Sequence, residues 1–163
     1  MDITFEKVEN KQIKALAEMA NQIWHEYFPC ILTGEQIDYM VDRFQSERAM
    51  TAQIKDGYEY YFICADGKPC GYIGLHCEAE KMFLSKLYLK NEMRGYGISS
   101  KAFSFIFDLT RKYGKSSVYL TVNKHNNHSV DVYKHMGFEI ADSVVTDIGS
   151  GYVMDDFVFE KKL

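Results

Sequence analysis

Residues 87–103, LYLKNEMRGYGISSKAF, constrain this chain more than any other stretch: an apolar β-type run enters a glycine-containing loop that opens directly into an amphipathic helix. Such a loop can turn several backbone N–H groups toward one point, and the helix N-terminus adds partial positive charge there. Together they suit a pyrophosphate. Gly95 and Gly97 keep side chains out of that space. The G-x-x-x-x-G-K-[ST] pattern of a P-loop is absent, as is the G-x-G-x-x-G of dinucleotide-binding folds. A G-x-G pair by itself also fits an ordinary strand-to-helix turn, so the neighbouring segments must decide.

Those neighbours alternate between strand and helix patterns. Residues 2–8 read as a strand, and Ile13, Leu16, Ala17, Ala20, Ile23, Trp24 and Tyr27 recur at helical spacing up to Phe28-Pro29. Thr33 and Gln36 form a capping pattern for a second helix carrying Ile37, Met40, Val41 and Phe44, with a short helix from Ser46 to Ile54 after it. YEYYFICA and KPCGYIGLHC flank an Asp66-Gly67 turn and predict a hairpin, and MFLSKLYL is the strand that leads into the loop. The helix after the loop shows Ile98, Ala102, Phe103, Ile106 and Leu109 on one face and stops at Gly114. SSVYLTV is then a buried strand, SVDVYKHM a short helix ended by Gly137, and FEIADSVV pairs with YVMDDFVFE across DIGSG. With 163 residues, 47% apolar composition and 23 Phe and Tyr residues together, one sheet-containing domain over 1–163 is expected.

About 30 residues beyond the loop the chain reads LTVNKHNNHSVDVYKHMGF. The two segments together resemble the GNAT family of N-acetyltransferases. Its loop pattern Q/R-x-x-G-x-G/A is matched by Arg94-Gly95-Tyr96-Gly97-Ile98-Ser99 and continued by Ser100-Lys101, and its later asparagine, helical tyrosine and Gly-Phe pair by Asn126, Tyr133 and Gly137-Phe138. Ser99 departs from the usual Gly or Ala, which bears on cofactor affinity and not on the fold.

The resemblance implies an α/β (α+β) fold: a central mixed, mostly antiparallel sheet, splayed at the cofactor site and flanked by helices on both faces. It implies acetyl-CoA as cofactor, with the pantetheine arm along Leu87, Tyr88 and Leu89 and the pyrophosphate over Arg94, Gly95, Tyr96, Gly97, Ile98, Ser99 and Ser100. The Leu87 N–H becomes the oxyanion donor, Leu89 pairs with a pantetheine amide, Asn126 binds the arm and Tyr133 protonates the departing thiolate.

Some family members carry a glutamate before the loop; here that stretch is Phe83-Leu84-Ser85-Lys86 and has no carboxylate. Candidates to organise a deprotonating water are His25, Glu26, His76, Glu78 and either Asp155 or Asp156. The resemblance implies an acceptor wall from the end of the first helix, the second helix and the last hairpin, and so on Trp24, Glu26, Tyr27, His76 and Asp155, with His25, Phe28, Tyr39, Tyr152 and Asp156 beside them. Aromatic rings with carboxylates suit a cationic amine. The layout is loosely similar to spermine/spermidine acetyltransferase-like members, so the expected reaction is acetyl transfer to a primary amine by direct attack in a ternary complex. A polyamine or an amino-acid analogue is the first choice of acceptor; a protein N-terminus or lysine, or a non-catalytic acyl-CoA sensor, are the alternatives. The family also makes a homodimer compatible.

Composition narrows the remaining classes. A formal charge of −4 argues against nucleic acid as partner, since phosphate binding needs a basic face. No apolar run approaches a membrane span and the N-terminus lacks a signal-peptide pattern, so a cytoplasmic protein with no membrane partner is expected. Cys30, Cys64, Cys70 and Cys77 form no C-x-x-C pair, which predicts no metal site and reduced, mostly buried thiols.

Overall fold

In the computed structural model, which describes residues 1–163, seven strands form one sheet in the order β1-β2-β3-β4-β5-β7-β6. The strands are β1 (Ile3–Lys7), β2 (Tyr58–Ala65), β3 (Lys68–Cys77), β4 (Lys81–Leu89), β5 (Ser117–Asn123), β6 (Glu139–Gly149) and β7 (Tyr152–Lys162). All neighbours are antiparallel except β4 and β5, which run parallel and pair only from Lys81–Phe83 to Ser117–Tyr119. Beyond Phe83 the two strands separate, leaving a wedge-shaped gap in the middle of the sheet. Asp66 and Gly67, both at positive φ, make the two-residue turn between β2 and β3 that the Asp-Gly pair predicts.

Helices cover both faces. On one, α4 (Ile98–Lys112) and α5 (Asn127–His135) bury Ile98, Ala102, Phe103, Ile106 and Val130 against Ile73, Leu84, Leu120 and Phe159. On the other, α1 (Ile13–Tyr27) and α3 (Glu47–Lys55) bury Leu16, Ala20, Ile23 and Met50 against Tyr60, Phe62 and Tyr72. The end of α1 and α2 (Gly34–Met40) form a third cluster with Trp24, Phe28, Ile37, Met40 and Ile148. Thr33 and Ser46 cap α2 and α3, their hydroxyls each accepting a backbone N–H at 3.2 Å. The helical spacing of Val41 and Phe44 predicts a longer α2; instead Val41–Gln45 widens into a π-helical turn. That turn carries Gln45 inward to 2% exposure, where Oε1 accepts the Tyr72 hydroxyl at 2.9 Å.

A bulge in β4 matters most for the site. Leu84 lies opposite Leu75 and Lys86 opposite Gly74, so Ser85 is an extra residue. An extra residue reverses side-chain parity along a strand. Met82 and Leu84 therefore face α4, whereas Lys86 and Tyr88 face α1 and α3. All four cysteines are free; Cys64 and Cys70 are buried, but Cys30 and Cys77 are exposed, which corrects the expectation of mostly buried thiols. No helix is long and apolar enough to cross a membrane, and no group of His, Cys, Asp and Glu side chains is placed to hold a metal ion.

Candidate active site

The gap between β4 and β5 opens into a cavity of about 430 Å³ that runs from the glycine loop to α2 and β7. Gly95 and Gly97 adopt φ of +85° and +74°, a left-handed backbone that glycine enters without strain. Gly97 is the N-cap of α4 and offers no side-chain cap, so the first N–H groups of that helix keep their capacity to bind an anion. The pocket wall here includes Arg94, Gly95, Gly97, Ile98, Ser99 and Ser100. Tyr96 is not on it: its ring stands out from the loop, 63% exposed.

Strand alternation fixes which β4 amides face the gap. Lys90 N–H donates to Cys70 O on β3 at 2.8 Å. Main-chain groups turn to opposite sides at successive residues, so the amides of Leu89 and Leu87 point away from β3 toward the unpaired edge. Two donors are thus available where an extended amide chain could lie. A pantetheine arm needs such an edge and its pyrophosphate needs such a helix start, so the residues present fit coenzyme A.

A polar chain ties the loop to the opposite helices. The Arg94 guanidinium lies 4.3 Å from the centre of the Tyr27 ring, and Tyr27 Oη donates to Asn126 Oδ1 at 2.7 Å and meets Ser129 Oγ at 2.9 Å. Asn126 Oδ1 also caps α5 by accepting Ser129 N–H, which leaves its Nδ2 as the group without a protein partner. The hydrogen-bonding role of Asn126 is therefore divided between holding α5 and facing the cavity. Tyr133 lies on the same wall, packed between Phe103, Phe138 and Phe159, and its hydroxyl has no hydrogen-bond partner in the protein. Burial pushes its pKa well above the ordinary tyrosine value, so the phenol stays protonated at neutral pH.

The acceptor candidates separate. Trp24 and Tyr27 line the cavity. Glu26 lies on the exposed face of α1 beside Gln22, His76 stacks on Tyr58 and pairs with Glu78 at the far end of β3, and Asp155 pairs with Lys124 at 2.8 Å; none of the three is on the cavity wall. His25 is held by Asp38, and Tyr39 packs on Tyr152 and donates to Ile148 O, so both rings anchor the β6–β7 hairpin or helix ends outside the cavity. Asp156 is the one carboxylate on the wall, 3% exposed. Burial first, then the neighbouring Asp155, raises its pKa to about 6. Period-2 alternation from Tyr152 and Met154 would have picked Asp156 over Asp155, had the inward face of β7 been known.

Lys86 is the group that the sequence did not mark. Its side chain is 5% exposed, donates to Gln53 Oε1 at 2.9 Å and touches the Tyr60 hydroxyl, with no carboxylate in reach. Burial pushes its pKa down from 10.5 to about 7. Between those values the unfolded chain holds a proton the native one lacks, so stability rises with pH from about 7 toward 10.5 and the full cost of the buried charge is felt below about 7. That cost is on the order of 5 kcal/mol. Lys86→Met is therefore expected to raise the melting temperature by several degrees at pH 6, and by progressively less toward pH 10. Thermal unfolding across that range checks it.

The model of the acetyltransferase (GNAT) family matches residues 16–138, three-quarters of the chain. This chain belongs to the GNAT family of acetyltransferases. Accordingly it is an acetyl-CoA-dependent N-acetyltransferase. It is similar to the spermidine N(1)-acetyltransferase of Thermoplasma acidophilum, 26% identical over 99% of this chain and 98% of that one. An uncharacterized N-acetyltransferase of Methanocaldococcus jannaschii is 26% identical over 53% of this chain, and the match spans 42% of that longer protein. Among solved structures, the PaiA N-acetyltransferase of T. acidophilum in complex with coenzyme A superposes with a TM-score of 0.85 at 25% identity, each chain covered completely. The fold class and cofactor expected from the two motifs agree with these matches.

Proposed function

We propose that this acetyltransferase acetylates a primary amine on a small molecule by direct attack within a ternary complex. The observation that carries the reading is the cavity itself. One continuous space joins the glycine loop and the free edge of β4 to an end bearing a single buried carboxylate, Asp156. Its volume suits a small ligand beside an extended arm.

Acetyl-CoA supplies an activated acetyl group and leaves as a thiol. The chain's residues do the rest. Asp156, as carboxylate, holds the incoming ammonium and takes its proton directly or through a water, so that the free amine reaches the acyl carbon. The Leu87 N–H faces the gap and offers a hydrogen bond to negative charge that develops on the carbonyl oxygen. Tyr133, protonated and without another partner, gives its proton to the sulfur as the bond to it breaks. A similar relative named for spermidine keeps polyamines in the panel of candidate acceptors beside amino-acid-like amines.

Thiol release from acetyl-CoA with amines of increasing size tests the reading. Turnover with free small amines is expected; activity confined to peptide or protein amines would overturn it. If Asp156 must be ionised, kcat/KM should rise with pH through about 6. Asp156→Asn should flatten that limb and lower kcat/KM by about 10–100-fold. An unchanged acidic limb in Asp156→Asn would assign the proton elsewhere.

A further inference from the structure

The cavity's acceptor end is richer in hydrogen-bond donors than a site for a simple amine requires. Lys86 is the chain's one buried basic side chain, and its two polar contacts are neutral: Gln53 Oε1 and the Tyr60 hydroxyl. Lys86 forms no ion pair, unlike Lys7, Lys11, Lys81 and Lys124. Trp24 lines the same space, and its indole N–H, in a side chain 4% exposed, lies near the Tyr72 hydroxyl without forming a well-aligned hydrogen bond to it. Gln45, 2% exposed on the same wall, spends its carbonyl oxygen on Tyr72, so its amide N–H groups are the part free to meet a ligand. An unsatisfied buried donor costs about 1–3 kcal/mol, so the Trp24 N–H, beside the spare donor capacity of Lys86 and Gln45 on the same cavity wall, favours an acceptor from outside.

Charge points the same way. Asp156 is the only carboxylate on the cavity wall, against the basic side chains of Lys86 and Arg94. A polyamine would bring two or more cations to a wall with one anion and would meet a buried amine at its end. An amine that also bears a carboxylate matches the set: the ammonium pairs with Asp156, and the carboxylate accepts from the donors opposite.

We infer that the acceptor is an amine carrying a carboxylate, of the amino-acid type, and that Lys86, with Trp24 on the same cavity wall, is the specificity-determining anchor for that carboxylate. This rests on the acetyl-transfer reading of the site and adds its substrate class. The bulge at Ser85 is what makes the anchor, because without the extra residue Lys86 would face α4. The titratable groups on the face of the sheet that Lys86 joins are the phenols of Tyr58 and Tyr60 from β2, Tyr72 from β3 and Tyr88 from its own strand, each kept neutral by burial. Asp156 from β7 is the only carboxylate on the cavity wall. In such surroundings Lys86 is part neutral when alone, and an arriving carboxylate draws a proton onto it.

The test is calorimetry on the protein saturated with coenzyme A, at pH 7.5 and in two buffers of different ionisation enthalpy. L-Leucine is compared with isoamylamine, L-ornithine with putrescine, and both pairs with spermidine. The amine acids are expected to bind about 10–100-fold tighter than their decarboxylated counterparts, with net proton uptake. Lys86→Met should erase both the preference and the uptake, while leaving the decarboxylated amines within about threefold. Tyr60 already donates to Gln53, so neither is orphaned by the change. Lys86→Gln, measured alongside, keeps the test available should the methionine variant fold poorly. Tighter binding of putrescine or spermidine than of the amine acids, or a carboxylate preference that survives both variants, would overturn the inference. Failure of the acetyl-transfer reading would appear separately, as no thiol release with any amine.

Discussion

Gly97→Val is expected to lower coenzyme A affinity by about 100-fold or more while leaving the protein folded. At φ of +74° a β-branched residue is strained by about 1–2 kcal/mol, and relief requires the loop to move. A Cβ built on Gly97 meets nothing within 4 Å, so the cost falls on loop conformation and on the space before the helix, not on core packing. That space is where the first N–H groups of α4 converge. Calorimetric titration with coenzyme A, beside a circular dichroism melt, separates loss of binding from loss of fold. Unchanged affinity in a folded Gly97→Val protein would remove the glycine loop from the cofactor site. Ser99→Gly, which restores the usual loop residue, should by contrast shift affinity by no more than a few-fold, as a single side chain at the rim of a backbone site would.

Tyr133→Phe should cut the rate of acetyl transfer by about 10²–10⁴, with coenzyme A affinity little changed. The hydroxyl makes no hydrogen bond within the protein, so its removal orphans no buried group, and the ring keeps its contacts with Phe103, Phe138 and Phe159. Because burial holds the phenol protonated, the parent rate should not show a tyrosine ionisation at neutral pH. The defect should shrink with a thioester whose leaving thiol has a low pKa, since that thiolate departs without a proton. Single-turnover measurements are needed, because slow product release would hide a change in the chemical step. Equal single-turnover rates for parent and variant on acetyl-CoA would leave Tyr133 as packing alone.

These expectations draw unequally on the sequence. The glycine loop, the alternation of strand and helix and the cap at Thr33 were legible because each is written within a few neighbouring residues, where backbone conformation and side-chain period act directly. Backbone donors such as Leu87 leave no residue code, and they were located only by counting back from the loop. Where a side chain's meaning depended on parity, local reading ran out. Asp155 and Asp156 are adjacent and chemically alike, yet β7 sends one to Lys124 and the other into the cavity. Glu26 and Tyr27 sit one residue apart at the end of α1, and only Tyr27 turns inward to meet Arg94 and Asn126.

Lys86 marks the boundary most clearly. In the sequence it stands in a stretch noted only for lacking a carboxylate, and as a lysine it would ordinarily be solvated. The bulge in β4, visible only through the register with Gly74 and Leu75 of β3, turns it beneath α1 and α3. The amino-acid sequence determined, by itself, the family, the fold class and the place of the glycine loop between β4 and α4, because those rest on short-range patterns and on backbone geometry. Only the tertiary structure decided which charged side chains share the acceptor end of the cavity, because that depends on strand register and helix facing, quantities set by contacts between residues far apart in the chain.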